Sequence, residues 1–154
     1  MATFTLENTH FQGKHTIKVV KKVVDEVQET DAAKIAHKDS MVSFMEQLIN
    51  NMPDWDTGYQ KMTTGNTYTI EHNFGSVPVR SAMFISTLEE PEENDFTYEL
   101  ASYISRDTGE TGVCGVLLRH EMNGNESKLI TGDNSLLLSD PNWATAYIRV
   151  LLWR

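Results

Sequence analysis

The chain has 154 residues, of which 40% are hydrophobic and 23% charged, and it carries a formal net charge of −9. That length suits one domain with an appendage, and the composition is that of a chain that builds a core. The acidic balance argues against nucleic acid as a partner, since phosphate binding draws on surplus Lys and Arg, and the single cysteine, Cys114, excludes an intrachain disulfide and a Cys-based zinc cluster.

Residues 1–10 lack the basic and apolar stretches of a signal peptide, and no run approaches the ~20 apolar residues that cross a bilayer, so no membrane insertion is expected. Within residues 2–11, Phe4 and Leu6 alternate with polar neighbours, which reads as a strand or an extended arm. From Lys18 to Met52 there is no proline or glycine, and Ile17, Val20, Val24 and Val27 return on three- and four-residue steps. The same frame reappears at Met41, Met45 and Leu48, giving a heptad seam whose β-branched residues favour three or more strands over two. Packing of an amphipathic helix pair on its own domain is the competing reading. Thr30-Asp31 and Asp39-Ser40 are candidate N-caps, so two helices replace one if either is used, and Pro53 stops the last helix.

Beyond residue 53 the periodicity changes from helical to alternating, and eight of the nine glycines fall in this half. Strands are expected over residues 67–72, 79–88, 96–104, 112–120, 128–131, 135–138 and 144–153. Phe96, Tyr98, Leu100, Ser102 and Ile104 occupy one face of the third. Turns are expected at Arg106-Asp107-Thr108-Gly109, Asn123-Gly124-Asn125 and Thr131-Gly132-Asp133-Asn134. The fold class is therefore mainly β with an N-terminal helical segment: an antiparallel β-sandwich head on a helical, trimeric coiled-coil stalk. Three regions follow: an arm over residues 1–16, a helical oligomerisation segment with linker over 17–61, and a head over 62–154.

No GxSxG or HExxH pattern is present, and the glycines between Gly109 and Gly115 have neither dinucleotide spacing nor a following helix. No cofactor or metal is expected, and the chain reads as a non-enzyme. Paired carboxylates such as Asp133 and Asp140 are the motive for a third reading, a small esterase or glycan hydrolase with a site shared between protomers. Cys114 sits in an apolar strand without a basic neighbour, as a buried thiol does, and His72 is placed to bond backbone at a turn. Residues 89–99 hold six acidic groups and no base, a solvated loop or a surface for a basic partner, without the glycine or spacing of a calcium loop. Trp143, in the polar turn of Asp140, Pro141 and Asn142, either covers one end of the core or joins Tyr147, Arg119 and His120 in a sugar-binding surface.

The most specific stretch is residues 68–85, where Tyr68-Thr69-Ile70-Glu71-His72-Asn73-Phe74-Gly75 leads through Pro78 into an apolar strand ending at Ile85. It resembles the opening of the small β-sandwich found at the ends of bacteriophage tail fibres and in H-type lectins, and residues 146–153 look like the closing strand of that module. The resemblance covers residues 65–154. It implies a trimer with binding grooves between protomers, and hence a short phage fibre, spike or tail-tip protein of the virion that binds a host-surface glycan or protein. The arm would contact other virion proteins. A structural adaptor or decoration protein is the alternative.

Overall fold

A computed structural model of the chain describes residues 2–9, 11–106, 112–137 and 143–154. Its elements run β1 (Thr3–Thr5), α1 (Phe11–Glu26), α2 (Ala32–Asn51), β2 (Trp55–Asp56), β3 (Gln60–Thr63), β4 (Thr67–Ile70), β5 (Arg80–Ser86), β6 (Tyr98–Glu99), β7 (Tyr103–Arg106), β8 (Val113–His120), β9 (Ser127–Thr131) and β10 (Thr145–Trp153). Two helices thus accompany two five-stranded sheets in a mixed α/β fold. One sheet has the order β1-β4-β9-β8-β7; the other has β2-β10-β5-β6, with β3 also pairing β10.

Alternation along the strands builds one core. On β10 Ala146, Ile148, Val150 and Leu152 are buried and their neighbours less so, and Met62, Met83 and Ile85 join them from the same sheet. Tyr68, Ile70, Val116, Leu118 and Leu129 from the other sheet belong to the same cluster, so each sheet buries one face against shared apolar contacts. Gly124 turns β8 into β9 with φ +72, and Glu121 N–H donates to Glu126 O across the turn at 2.9 Å, as the Asn123-Gly124-Asn125 signal predicts.

The N-terminal stretch is part of this body and not a free arm. β1 pairs parallel with β4, Leu6 is buried in the core, and Thr9 N–H donates to Asp56 O at 2.8 Å. Residues 2–9 therefore strap one sheet to the other, and strands begin at Trp55, before the expected head boundary at 62. A parallel partner sixty residues away leaves no local trace in a ten-residue segment.

The helical region is a hairpin, which corrects the continuous seam. At the end of α1, Lys38 Nζ donates to Asp25 O and Val27 O, taking up carbonyls left open there. Asp31 starts α2 by accepting from Ala33 N–H and Lys34 N–H at 3.0 and 3.1 Å. Asp39 and Ser40 lie inside α2 and cap nothing, whereas Pro53 follows its end as expected. The helices run antiparallel: Lys14 Nζ bonds Met52 O at one end, and Lys38 reaches Asp25 at the other. Val20 and Val24 thus stand on one helix, with Val27 just past its end, and Met41, Met45 and Leu48 on its returning partner.

The expected strand over residues 96–104 is two strands in different sheets. β6 pairs β5, while β7 pairs β8. Between them Ser102 Oγ accepts from Leu118 N–H at 2.8 Å and donates to Leu118 O at 3.1 Å, so a side chain replaces the ladder where the chain changes sheets. The strand expected at 135–138 reduces to one bridge between Ser135 and Cys114, and Leu138 lies outside the described residues. The turn at Asp107-Thr108-Gly109 also lies outside them.

Candidate interaction surfaces

The residues expected to bind sugar do not converge. Trp143 O accepts from Leu136 N–H, and Leu136 follows Ser135, which bridges Cys114 near the start of β8. His120 closes the same strand, six residues and ~20 Å away at the usual rise of a β-strand. Trp143 instead packs on the core and meets Tyr98 edge-on at 6.2 Å, the covering role that its sequence position also allowed. Tyr147 is half-buried on β10 between Ser86 and Lys61. Arg119 is ion-paired with Glu121 at 2.9 Å. Asn142 lies outside the described residues.

What His120 does join is a hydrogen-bonded lock. Phe74 N–H donates to His72 Nδ1 at 3.3 Å, which leaves the ring proton of His72 on Nε2, 3.1 Å from Ser127 Oγ. Ser127 Oγ stands 2.7 Å from His120 Nδ1 and so has an acceptor for its own proton. Burial lowers the pKa of both imidazoles, and for His72 the proximity of His120 adds to it. Ser127 is fully enclosed, so no substrate reaches the hydroxyl; the trio fastens the 72–74 turn to β8 and β9. The expected backbone bond of His72 is present, and Ser127 is the member that a search for charged or aromatic residues passes over.

A second buried polar feature pins the sheet edge. Arg149 grips Asp56 through Nε at 2.9 Å and Nη2 at 2.5 Å, and Asp56 is only 2% exposed. Their bond raises the Arg149 pKa despite partial burial. Alongside, Val150 N–H donates to Thr57 Oγ1 at 2.9 Å where the chain passes from β2 towards β3. Cys114 is buried with Asn134 Nδ2 3.6 Å from its sulfur. Asp133 Oδ1 accepts from Val113 N–H at 2.6 Å, a structural role; Asp140 lies outside the described residues.

A run of exposed apolar residues lies on the helical hairpin. No described side chain of α2's twenty residues is buried. Val19, Val20 and Val23 on α1, Val27 just beyond its end, and Met41, Phe44 and Leu48 on α2 are all exposed, Phe44 to 61%. Steps of three and four place each set on one side of its helix. A groove of about 450 Å³ between the helices is lined by Val24, Val27, Ala33, His37 and Met41, so both rows open to the same side. Val24 and Met45 are half-buried, while Val20, Val27, Met41 and Leu48 face solvent. Val19, Val23 and Phe44 extend the seam beyond the strict heptad; the wider three-to-four periodicity carries them.

Among the described residues no group of three or more His, Cys, Asp and Glu side chains can hold a metal ion, and no helix is long and apolar enough to cross a membrane. No protein-family model matches the chain, and no curated protein matches it.

Proposed function

We propose that this chain is a non-enzymatic, self-assembling virion protein: a short trimeric fibre, spike or tail-tip component whose two sheets form a β-sandwich head facing a host receptor. The observation that carries the assembly is the apolar face of the hairpin. Monomers rarely expose contiguous apolar patches above a few hundred Å², and α2 has no buried residue to hold it as an isolated cover. Copies of the hairpin packed face to face bury Val20, Val23, Val27, Met41, Phe44 and Leu48 together. Three copies make a six-helix bundle in place of the three-stranded coil that a continuous seam implies. Trimer over dimer is drawn from the resemblance of residues 68–85 to tail-fibre sandwiches.

The test is the solution mass of the full chain at tens of micromolar, read by light scattering. Assembly predicts about three times 17.5 kDa for the wild type and a monomer for Val23→Asp/Phe44→Asp, exposed positions whose change leaves the core intact. A monomeric wild type sinks the reading.

The separation of Arg119 and His120 from Trp143 favours the second reading, an adaptor or decoration protein whose head packs on other virion proteins. Binding of the trimer to host cells or to a glycan array decides for the attachment role; its absence, with the trimer intact, decides for the adaptor.

A further inference from the structure

Where the foot of the hairpin meets the sheets, a groove of about 480 Å³ is lined by Lys14, Lys18, Ile49, Asn50, Asp54, Val79, Arg80, Trp153 and Arg154. In a chain of net charge −9 it gathers four cationic side chains around one carboxylate. Asp54 is ion-paired with Lys14 at 2.7 Å and is also stabilised by the charge of Lys18, so one carboxylate faces four cationic side chains and the groove keeps a positive excess. Its lining is mixed, with Ile49, Val79 and Trp153 set among the charged groups. Val79 is 79% exposed, and the Arg80 guanidinium lies 4.3 Å over the Trp153 ring, holding the indole flat beneath the cation.

The opposite end of β5 carries the complementary surface. Residues 87–97 leave β5 after Ser86 and return at β6, whose Tyr98 faces Ile85. This connection and its flank hold Glu89, Glu90, Glu92, Glu93, Asp95 and Glu99, all exposed, with Phe96 standing 84% exposed among them. The turn is ordered by its own bonds: Glu92 N–H donates to Asp95 Oδ2 at 2.7 Å and Asp95 N–H to Glu92 O at 3.0 Å. An aromatic knob ringed by carboxylates is the counterpart of an exposed valine and an indole set among cations. The two cannot meet within one chain, because Arg80 begins β5 and Ile85, opposite Tyr98, lies five residues and ~17 Å further along it.

We infer that the groove receives the 89–99 loop of a second copy, with Phe96 seated on Val79 and Trp153 and the loop carboxylates facing Lys18, Arg80 and Arg154. This contact is head-to-tail, joining two different surfaces, and it closes a ring when the rotation between copies permits. The inference rests on the self-assembly reading above and assigns it a second interface, distinct from the apolar hairpin face. Charge pairing at such a contact sets register and encounter rate and weakens as salt shortens the Debye length.

The experiment uses the full chain and two readouts. Solution mass is compared for wild type, Lys18→Glu/Arg80→Glu, Glu92→Lys/Glu93→Lys, the combination of all four, and Phe96→Ala. A fluorescent peptide of residues 88–100 is also titrated onto each protein. The expected result is that either charge pair and Phe96→Ala shift assembly to concentrations at least tenfold higher, and that the four-fold variant recovers. The peptide binds wild type at 50 mM salt, at least tenfold more weakly at 500 mM, and not to Lys18→Glu/Arg80→Glu. If Val23→Asp/Phe44→Asp dissociates the protein while the charge and Phe96 variants keep the wild-type mass, assembly through the hairpin stands and the groove contact is overturned. If wild type is monomeric yet the peptide binds with this salt and mutational pattern, the groove contact stands without the hairpin assembly. A monomer that ignores the peptide overturns both.

Discussion

At the scale of single residues, the sheets are fastened by polar groups whose partners are distant in sequence. His72, Ser127 and His120 come from three segments, and the lock together with its Phe74 contact needs both imidazoles neutral. Protonating His72 at Nδ1 sets a donor against Phe74 N–H; protonating His120 at Nδ1 leaves the Ser127 proton without its acceptor. The charges around the lock are Glu71 beside His72, Arg119 and Glu121 around β8's end, and Glu126 and Lys128 on the β9 side; Glu126 partly offsets the burial of His72. Both histidines have pKa values below the ordinary 6.5 in the folded chain, so the unfolded chain takes up protons first as acid is added. Their contribution is therefore complete above pH 6.5 and declines as pH falls through 6.5 towards the folded values. The urea midpoint is expected to drop between pH 7.5 and 5.5, and to drop less in His120→Gln. An equal drop in both proteins removes the lock as its cause. Asp54 acts in a more acid window: burial raises its pKa, but Lys14 and Arg154 N–H outweigh that and hold it below 3.8, so its stabilisation is lost only as pH falls through that lower value.

Legibility at this scale was uneven for a physical reason. His72 sits two residues from its backbone partner, and an Asn-Phe-Gly turn announces that geometry. Ser127 is an unremarked serine in sequence because its two partners lie 55 and 7 residues away. The pairing of Asp56 with Arg149 spans 93 residues and is equally silent, although each end is an ordinary charged residue in a strand.

At the scale of elements, the sequence announces where helices start and stop better than what they pack against. Asp31 and Pro53 act at the positions where an N-cap and a helix breaker were expected. The seam frame survives the break at residues 27–31 only because an interruption of suitable length restores the count. Asp31 is the sole side-chain acceptor shown for the first N–H groups of α2, so Asp31→Ala is expected to lose about 1 kcal/mol of hairpin stability. Hydrogen exchange of the amides of Ala33 and Lys34 checks this; unchanged protection there contradicts the capping role. Strand faces were legible wherever alternation met one partner sheet throughout, as along β10. They misled across residues 96–104, where the alternation runs on while Ser102 hands the chain from one sheet to the other.

At the scale of the whole molecule, buried polar pairs and a shared core hold the sheets, whereas the hairpin is held at its foot and left bare along its length. Lys14 to Met52 O, Trp153 Nε1 to Asn51 O at 3.2 Å, and the 2.7 Å ion pair of Lys14 with Asp54 all lie at that foot. Association that buries the bare face links folding to protein concentration. The hairpin transition is thus expected to rise in temperature by several degrees for each tenfold increase in concentration, followed by helix-sensitive circular dichroism. A transition independent of concentration over two decades speaks against assembly through this face.

The strap formed by residues 2–9 carries a further consequence. Thr9 enters the hairpin while bonded to Asp56, two residues beyond the point where the chain comes back at Asp54. The helices are consequently an excursion from a closed body, leaving and returning through one doorway. Whole turns inserted in step into α1 and α2 would lengthen that excursion without touching any strand, core side chain or buried ion pair. Hairpin length and sheet packing are therefore separately adjustable, so a lineage carrying this architecture can retune how far the helices project from the sheets by insertion alone.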